Sequence, residues 1–233
     1  MSSPIPILYE DQALVIFDKP AGVLVVPDPK GTSKPLTDIV NEQCPPNELG
    51  RLYPCHRLDR ETSGAIIFAR GKSNEEKMMD EFRKGIVEKK YIAFVRGKMR
   101  NMAGEIKSMI RDFHEQRYTR YKKRDERAGR ATIDRSGKWA ITRYKVITVK
   151  HLFSVVQVYP LTGRTNQIRI HFSEIGYPLL GERLYALGRD ANIKFRRVAL
   201  HASEITFKHP QTGKRMTVES ELAKDMENFL NRY

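Results

Sequence analysis

The sequence predicts a mixed α+β domain, and three observations lead there. Strand-like runs outnumber helical ones. The two kinds do not alternate strictly, as a doubly wound α/β sheet would require. No internal repeat, low-complexity linker or break in composition divides the 233 residues, so one domain over 1–233 is expected. Hydrophobic residues make up 40% of the chain, which is ample for a buried core and argues against wholesale disorder.

The elements follow in chain order. ILYEDQALVIFDKPAGVLVVP reads as strand, tight turn, strand and, after a Pro-Gly turn, more strand. Structure beginning by Ile7 leaves no room for an N-terminal accessory domain. Pro35 to Cys44 suits a short helix. Arg51 to Gly64 is polar and irregular, and Ala65 to Ala69 suits a buried strand. Ser73, with Glu76 three positions on, forms a capping box for a helix that turns Met78, Met79 and Phe82 inward and stops at Gly85. Lys90 to Val95 reads as a strand, and Lys98 to Lys138 as a polar hairpin or excursion. Ala140 to Val149, Phe153 to Tyr159 and Ala202 to Lys208 are further strand candidates. Between them, Ile168, His171, Phe172 and Ile175 fall at helical spacing, in a helix from Thr165 to Glu174 closed by Gly176. The tail places Leu222, Met226, Phe229 and Leu230 on one face of a last helix.

Charge narrows the partners. Lys plus Arg number 42 against 28 Asp plus Glu, a formal charge of +14. Such a surplus favours a polyanion, because neutralising phosphates releases counterions. Nucleic acid is the first candidate and an anionic membrane surface the second. No apolar run approaches the length that spans a bilayer, and the N-terminus has no basic stretch followed by an apolar core. Cys44 and Cys55 lie outside any CxxC pattern, so neither a disulfide framework nor a zinc site is expected. These readings point to a cytoplasmic protein.

Two clusters carry chemistry. In His56-Arg57-Leu58-Asp59-Arg60-Glu61-Thr62-Ser63-Gly64 an aspartate stands among cations just before a buried strand. That setting keeps a carboxylate ionised and fixed, as a nucleophile requires, and it equally describes a surface ion pair with Arg57 or Arg60. In Leu161-Thr162-Gly163-Arg164-Thr165-Asn166-Gln167-Ile168-Arg169-Ile170-His171, Gly163 permits a turn and Thr165 can cap the helix. Arg164 and Arg169 then present two cations near its start, suited to an anion or to plain solvation. No metal-ligand spacing, phosphate-cradling loop or dinucleotide fingerprint accompanies these clusters.

Together the segments resemble the RluA-type RNA pseudouridine synthases over nearly the whole chain and in the family's order. ILYEDQALVIFDKPAGVLVVP, HRLDRETSG, KKYIAFVRG, LTGRTNQIRIH, GYPLLGERLY and RRVALHASEITFKHP carry the resemblance. It implies a largely antiparallel central sheet with flanking helices and an RNA-binding catalytic cleft, in a member without an N-terminal S4 domain. It implies a cofactor-free, metal-free isomerase acting as a monomer on a stem-loop of tRNA, 23S ribosomal RNA or both. Asp59 becomes the catalytic carboxylate, Arg169 its partner and Tyr91 the active-site tyrosine. Arg57 fills the space left by the flipped base. Ile168 and Leu200 supply apolar cover, while Arg60, Arg164 and Asn166 contact RNA. The competing class, a non-catalytic RNA-binding module, explains the charge but not the aspartate, tyrosine and arginine set. A metal-dependent nuclease would need clustered carboxylates, and beside Asp59 there is only Glu61.

The chain departs from the family in having Asn166 where His is usual and Glu182 where Asp is usual, which implies altered RNA contacts with the chemistry retained. Residues from Arg111 to Arg135 have no clear counterpart. The stretch from Lys107 to Lys145 holds 13 Lys plus Arg and 5 Asp plus Glu, a surplus of 8. Phe113, Tyr118, Tyr121, Trp139 and Tyr144 are interleaved, suited to stacking on exposed bases, and Lys122, Lys123 and Arg124 to phosphate contact. The alternative for this excursion, at about 107–138, is a solvated hairpin.

Overall fold

The computed structural model describes residues 4–28, 31, 33–112, 131–133, 137–186 and 193–233. Lys122, Lys123, Arg124, Phe113, Tyr118 and Tyr121 lie outside them. The chain forms two compact units, one from Met1–Ala93 with Arg197–Tyr233, the other from Phe94–Arg196.

In the first unit, strands β1 (Ile7–Glu10) and β2 (Leu14–Lys19) form a hairpin. Helix α1 (Leu36–Gln43), strand β3 (Leu52–Pro54) and strand β4 (Ser63–Arg70) follow. Next come helix α2 (Gly71–Lys84) and strand β5 (Glu88–Arg96), which passes out of the unit after Ala93. Strands β10 (Leu200–Lys208) and β11 (Arg215–Glu219) and helix α4 (Lys224–Leu230) complete it. Strand order is β1-β2-β4-β10-β5, with β3 on β4 and β11 on β10. Every pairing is antiparallel except β10 with β4, which is parallel. All of β4 is buried, as a central strand covered on both faces must be. Its Ala65 and Ile67 pack with Leu14, Ile16, Met78 and Phe207 in the core.

The second unit holds the end of β5, then β6 (Ala103–Asp112), β7 (Ala131–Ile133), β8 (Lys138–Val149), β9 (Phe153–Pro160) and helix α3 (Gln167–Glu174). Strands β9-β8-β6-β7 form an antiparallel ladder. Helix α3 covers one face, with Ile170 packed on Ile110 and Ala140, and Phe172 edge-on to Tyr144.

The expected α+β class and largely antiparallel sheet are what the structure shows. Several local expectations are corrected. Val23–Pro27 is not a strand. Helix α2 begins at Gly71 rather than Ser73, with no side-chain cap. The Arg70 and Gly71 amides are tied to the Ala13 and Arg51 carbonyls, so the helix starts directly at the strand end. Helix α3 begins at Gln167, not Thr165. Tyr144 is buried, so it is no stacking platform.

Candidate active site

Asp59 sits half-buried on the turn that leads into β4, its carbonyl accepting the Thr62 amide at 3.1 Å. The turn is strapped from below by Lys19, the last residue of β2, which is fully buried. Lys19 Nζ donates to the carbonyls of Thr62 (2.7 Å), Pro20 (2.9 Å) and Arg60 (3.2 Å). Burial drives the Lys19 ammonium down to about 7, Asp59 opposing and Arg197 reinforcing the shift. Three acceptors require three donors, which only the protonated form has. The Gly22 amide reaches the Arg60 carbonyl at 2.7 Å, and Arg60 Nε reaches the Gly22 carbonyl at 3.0 Å. Sequence reading passed over Lys19, because one lysine in a strand gives no sign of burial.

A second support comes from β10. Gly64 has φ +111°, and a Cβ there would lie 2.2 Å from the Ala202 carbonyl oxygen, so the glycine of TSG lets the two backbones touch. Arg197, buried and also missed by sequence reading, forks onto Asp225 of α4 at 2.7 and 2.8 Å. It also donates to Ser63 Oγ (3.2 Å) and the Glu61 carbonyl (3.0 Å). The Glu61 carboxylate accepts the Val198 amide at 3.0 Å. Arg57 is exposed. His56 Nε2 accepts the Ile67 amide at 3.1 Å and its ring stacks 4.8 Å from Phe82. Burial and the Lys89 charge push it down to about 3, a neutral structural imidazole.

Tyr91 on β5 is buried and pairs with Ala202, beside a bulge between Ala202 and Glu204. Burial, and then the Asp59 charge, push its hydroxyl well above the ordinary phenol value. Tyr91 is therefore a neutral phenol, not a phenolate. Leu200 is buried at the start of β10, opposite Ala93.

In the second unit, Arg169 is buried on the first turn of α3. Its Nε and one terminal nitrogen donate to the two oxygens of Glu182, at 2.7 and 2.9 Å. The other terminal nitrogen donates to Asn166 Oδ1 at 2.9 Å. Asn166 Nδ2 donates to Tyr185 Oη at 2.9 Å, and the guanidinium lies 5.3 Å from the Tyr185 ring centroid. Burial raises the Glu182 carboxyl, but the Arg169 bonds and the Leu184 and Tyr185 amides outweigh it and hold it below the usual value. Asn166 has φ +54°, a left-handed conformation that asparagine tolerates, and its side chain engages Arg169 instead of capping the helix. Gln167 stitches the turn: its Oε1 accepts from Thr162 Oγ1 (2.7 Å) and the Arg164 amide (3.0 Å). Its Nε2 donates to the Ile141 carbonyl and Thr142 Oγ1. Arg164 is half-buried, its Nε donating to the Trp139 carbonyl at 3.4 Å, and Ile168 is buried. Among the described residues, no group of three or more His, Cys, Asp or Glu is placed to hold a metal ion.

Among the described residues, no helix is long and apolar enough to cross a membrane. The RNA pseudouridylate synthase family matches residues 13–174, and the chain belongs to that family, in its RluA-type branch. It is 32% identical to the uncharacterized RNA pseudouridine synthase YhcT of Bacillus subtilis, over 97% of this chain and 72% of that protein. It is 34% identical to the dual-specificity RNA pseudouridine synthase RluA of Haemophilus influenzae, over 91% and 90%. The fold matches human RNA Pseudouridylate Synthase Domain Containing 4 with a TM-score of 0.77 and 22% identity, over 97% of this chain and 92% of that one. The enzyme is an RNA pseudouridine synthase, an isomerase with RNA as substrate.

Proposed function

We propose that this synthase isomerises particular uridines in structured RNA, tRNA or 23S ribosomal RNA, with Asp59 as the catalytic carboxylate. The observation that carries the reading is the Asp59 turn, held by two bonds from buried Lys19 to the Arg60 and Thr62 carbonyls, with the Asp59 charge acting on neutral Tyr91. Both C5 and the glycosidic bond of a stacked uridine are hidden, so the nucleotide leaves its stack. Exposed Arg57 takes the vacated space, where a planar guanidinium stacks on neighbouring bases and meets phosphate. Breaking the C–N bond leaves positive character on the sugar, which the Asp59 carboxylate stabilises or captures at C1′. The uracil leaves with the electron pair of the broken C1′–N1 bond, turns and bonds C1′ through C5, displacing Asp59 where it has bonded there. The C5 proton is then lost to water and N1 takes one up.

Tyr91, protonated, serves as a ring against the uracil and a hydrogen-bond donor. Arg169 supports the charge of the aspartate, and Asn166 and Glu182 hold that guanidinium oriented. Leu200 and Ile168 cover the base, while Arg60 and Arg164 meet phosphates. Residues 1–233 then work as one catalytic domain of a cytoplasmic monomer that needs no cofactor. Relatives named for the large ribosomal subunit support ribosomal RNA as a target.

The test pairs two measurements. Carbodiimide mapping of RNA from cells with and without the gene identifies the uridine. Release of tritium from C5-labelled uridine in that RNA is then compared for wild type and Asp59→Asn. The variant is expected to fold and bind RNA but to release no tritium. Turnover within about tenfold of wild type, a barrier change of only about 1.4 kcal/mol, would remove Asp59 from the chemistry.

A further inference from the structure

Among the described residues, α3 covers one face of the second unit's sheet. Along β8, alternation sends Ala140, Thr142 and Tyr144 toward α3, so Trp139, Arg143 and Lys145 point the other way. Trp139 is 53% exposed, and Arg143 and Lys145 are exposed further along the same face of the strand. On neighbouring β6, Met109 pairs with Trp139 and Lys107 with Ile141, and Lys107 Nζ lies 4.8 Å from the Trp139 ring centroid. Across β8, Arg143 stands between Glu105 and Tyr159, with its Nε donating to Glu105 at 2.9 Å. Among the described residues of this face Glu105 is the single carboxylate, and it pairs with Arg143.

An exposed indole with one lysine against its ring and further cations along the same strand face has a restricted set of partners. Protein interfaces enrich Trp but deplete Lys. Single-stranded nucleic acid needs both, an aromatic face for a base and ammonium or guanidinium groups for the phosphates on either side. We propose that this face is an RNA-binding surface additional to the Asp59 site, stacking an unpaired base of the substrate on Trp139 and holding its backbone with Lys107, Arg143 and Lys145. The proposal rests on RNA being the substrate and does not depend on the role of Asp59.

Trp139 is the single tryptophan of the chain, so its emission reports this face alone. The whole protein is titrated with oligouridylate, following tryptophan emission and, with labelled RNA, anisotropy. Quenching that saturates together with the anisotropy signal is expected. Trp139→Ala should weaken binding about five- to hundredfold, the range for one stacked base. A Lys107→Ala, Arg143→Ala, Lys145→Ala protein keeps the indole, and its log–log salt slope should fall by about 2, at roughly 0.7 per lost contact. RNA that binds without quenching, or unchanged affinity in both variants, overturns the proposal. So does an emission shift produced by anionic vesicles or by protein concentration but not by RNA. Asp59→Asn should quench as wild type does. Quenching by a wild-type protein that isomerises no uridine would defeat the catalytic reading and leave this one standing.

Discussion

Arg169 and Glu182 form a two-pronged ion pair, 2.7 and 2.9 Å long, between a guanidinium and a carboxylate that are both buried. Three further backbone amides, from Arg183, Leu184 and Tyr185, converge on the same Glu182 oxygen. The carboxylate therefore has partners enough to offset its desolvation, and it can hold the arginine in one orientation. Glutamate here in place of the family's usual aspartate keeps the charge that this task needs.

Glu182→Gln should expose that dependence. Removing the charge leaves Arg169 buried with a weaker partner, at a cost of about 3 kcal/mol in urea unfolding. If Arg169 is held for catalysis, kcat falls more than KM, and Glu182→Asp restores most of it. A variant that loses stability but keeps kcat would make the pair purely structural.

Lys19→Met tests the strap beneath Asp59. Three carbonyls lose their shared donor, so stability should drop on the order of 3 kcal/mol. Activity should fall even well below the melting temperature, because the Asp59 turn is no longer pinned. Unaltered unfolding would show that water replaces the ammonium without loss.

Arg57 and Arg169 should separate when the target is presented already unstacked. Arg57→Ala is expected to lose activity on a folded stem-loop and regain part of it on an RNA whose target uridine is unpaired. Arg169→Ala should be equally impaired on both. The comparison is made by tritium release on the two RNAs, and identical responses would contradict the division of roles.

Stability should fall as the solution is acidified. His171 is fully buried, and burial pushes its imidazole down to about 4, whereas an unfolded histidine titrates near 6.5. Between those values the unfolded chain binds a proton that the fold does not, so acid favours unfolding by up to about 1.4 kcal/mol per pH unit. His56, pushed down to about 3, acts in the same direction. Urea midpoints measured from about pH 7.5 to about pH 5 read the slope, and His171→Asn should flatten it. An unchanged slope in the variant would assign the titration elsewhere.

By itself the sequence determined the family, the class of reaction that goes with it and most strands, because these depend on short runs of neighbouring residues. HRLDRETSG, KKYIAFVRG and LTGRTNQIRIH carry the family resemblance, and short runs of strand-forming residues locate β2, β5, β8 and β9. It also assigned α2 its stop, since Gly85 at φ +70° caps the helix in the left-handed conformation. Only tertiary structure decided which polar groups are buried and whom they meet. Lys19 is one lysine among many in the chain until the Thr62, Pro20 and Arg60 carbonyls close on it. Asn166 can be read as a helix cap until Arg169 and Tyr185 claim both ends of its amide. Strand β11 escaped notice because its five residues are mostly exposed and gain their order from pairing with β10. Tyr144 and Trp139 look alike in composition, yet α3 covers the first and leaves the second in water. Burial is a property of what packs against a residue, and distant segments bring that packing only when the chain has folded.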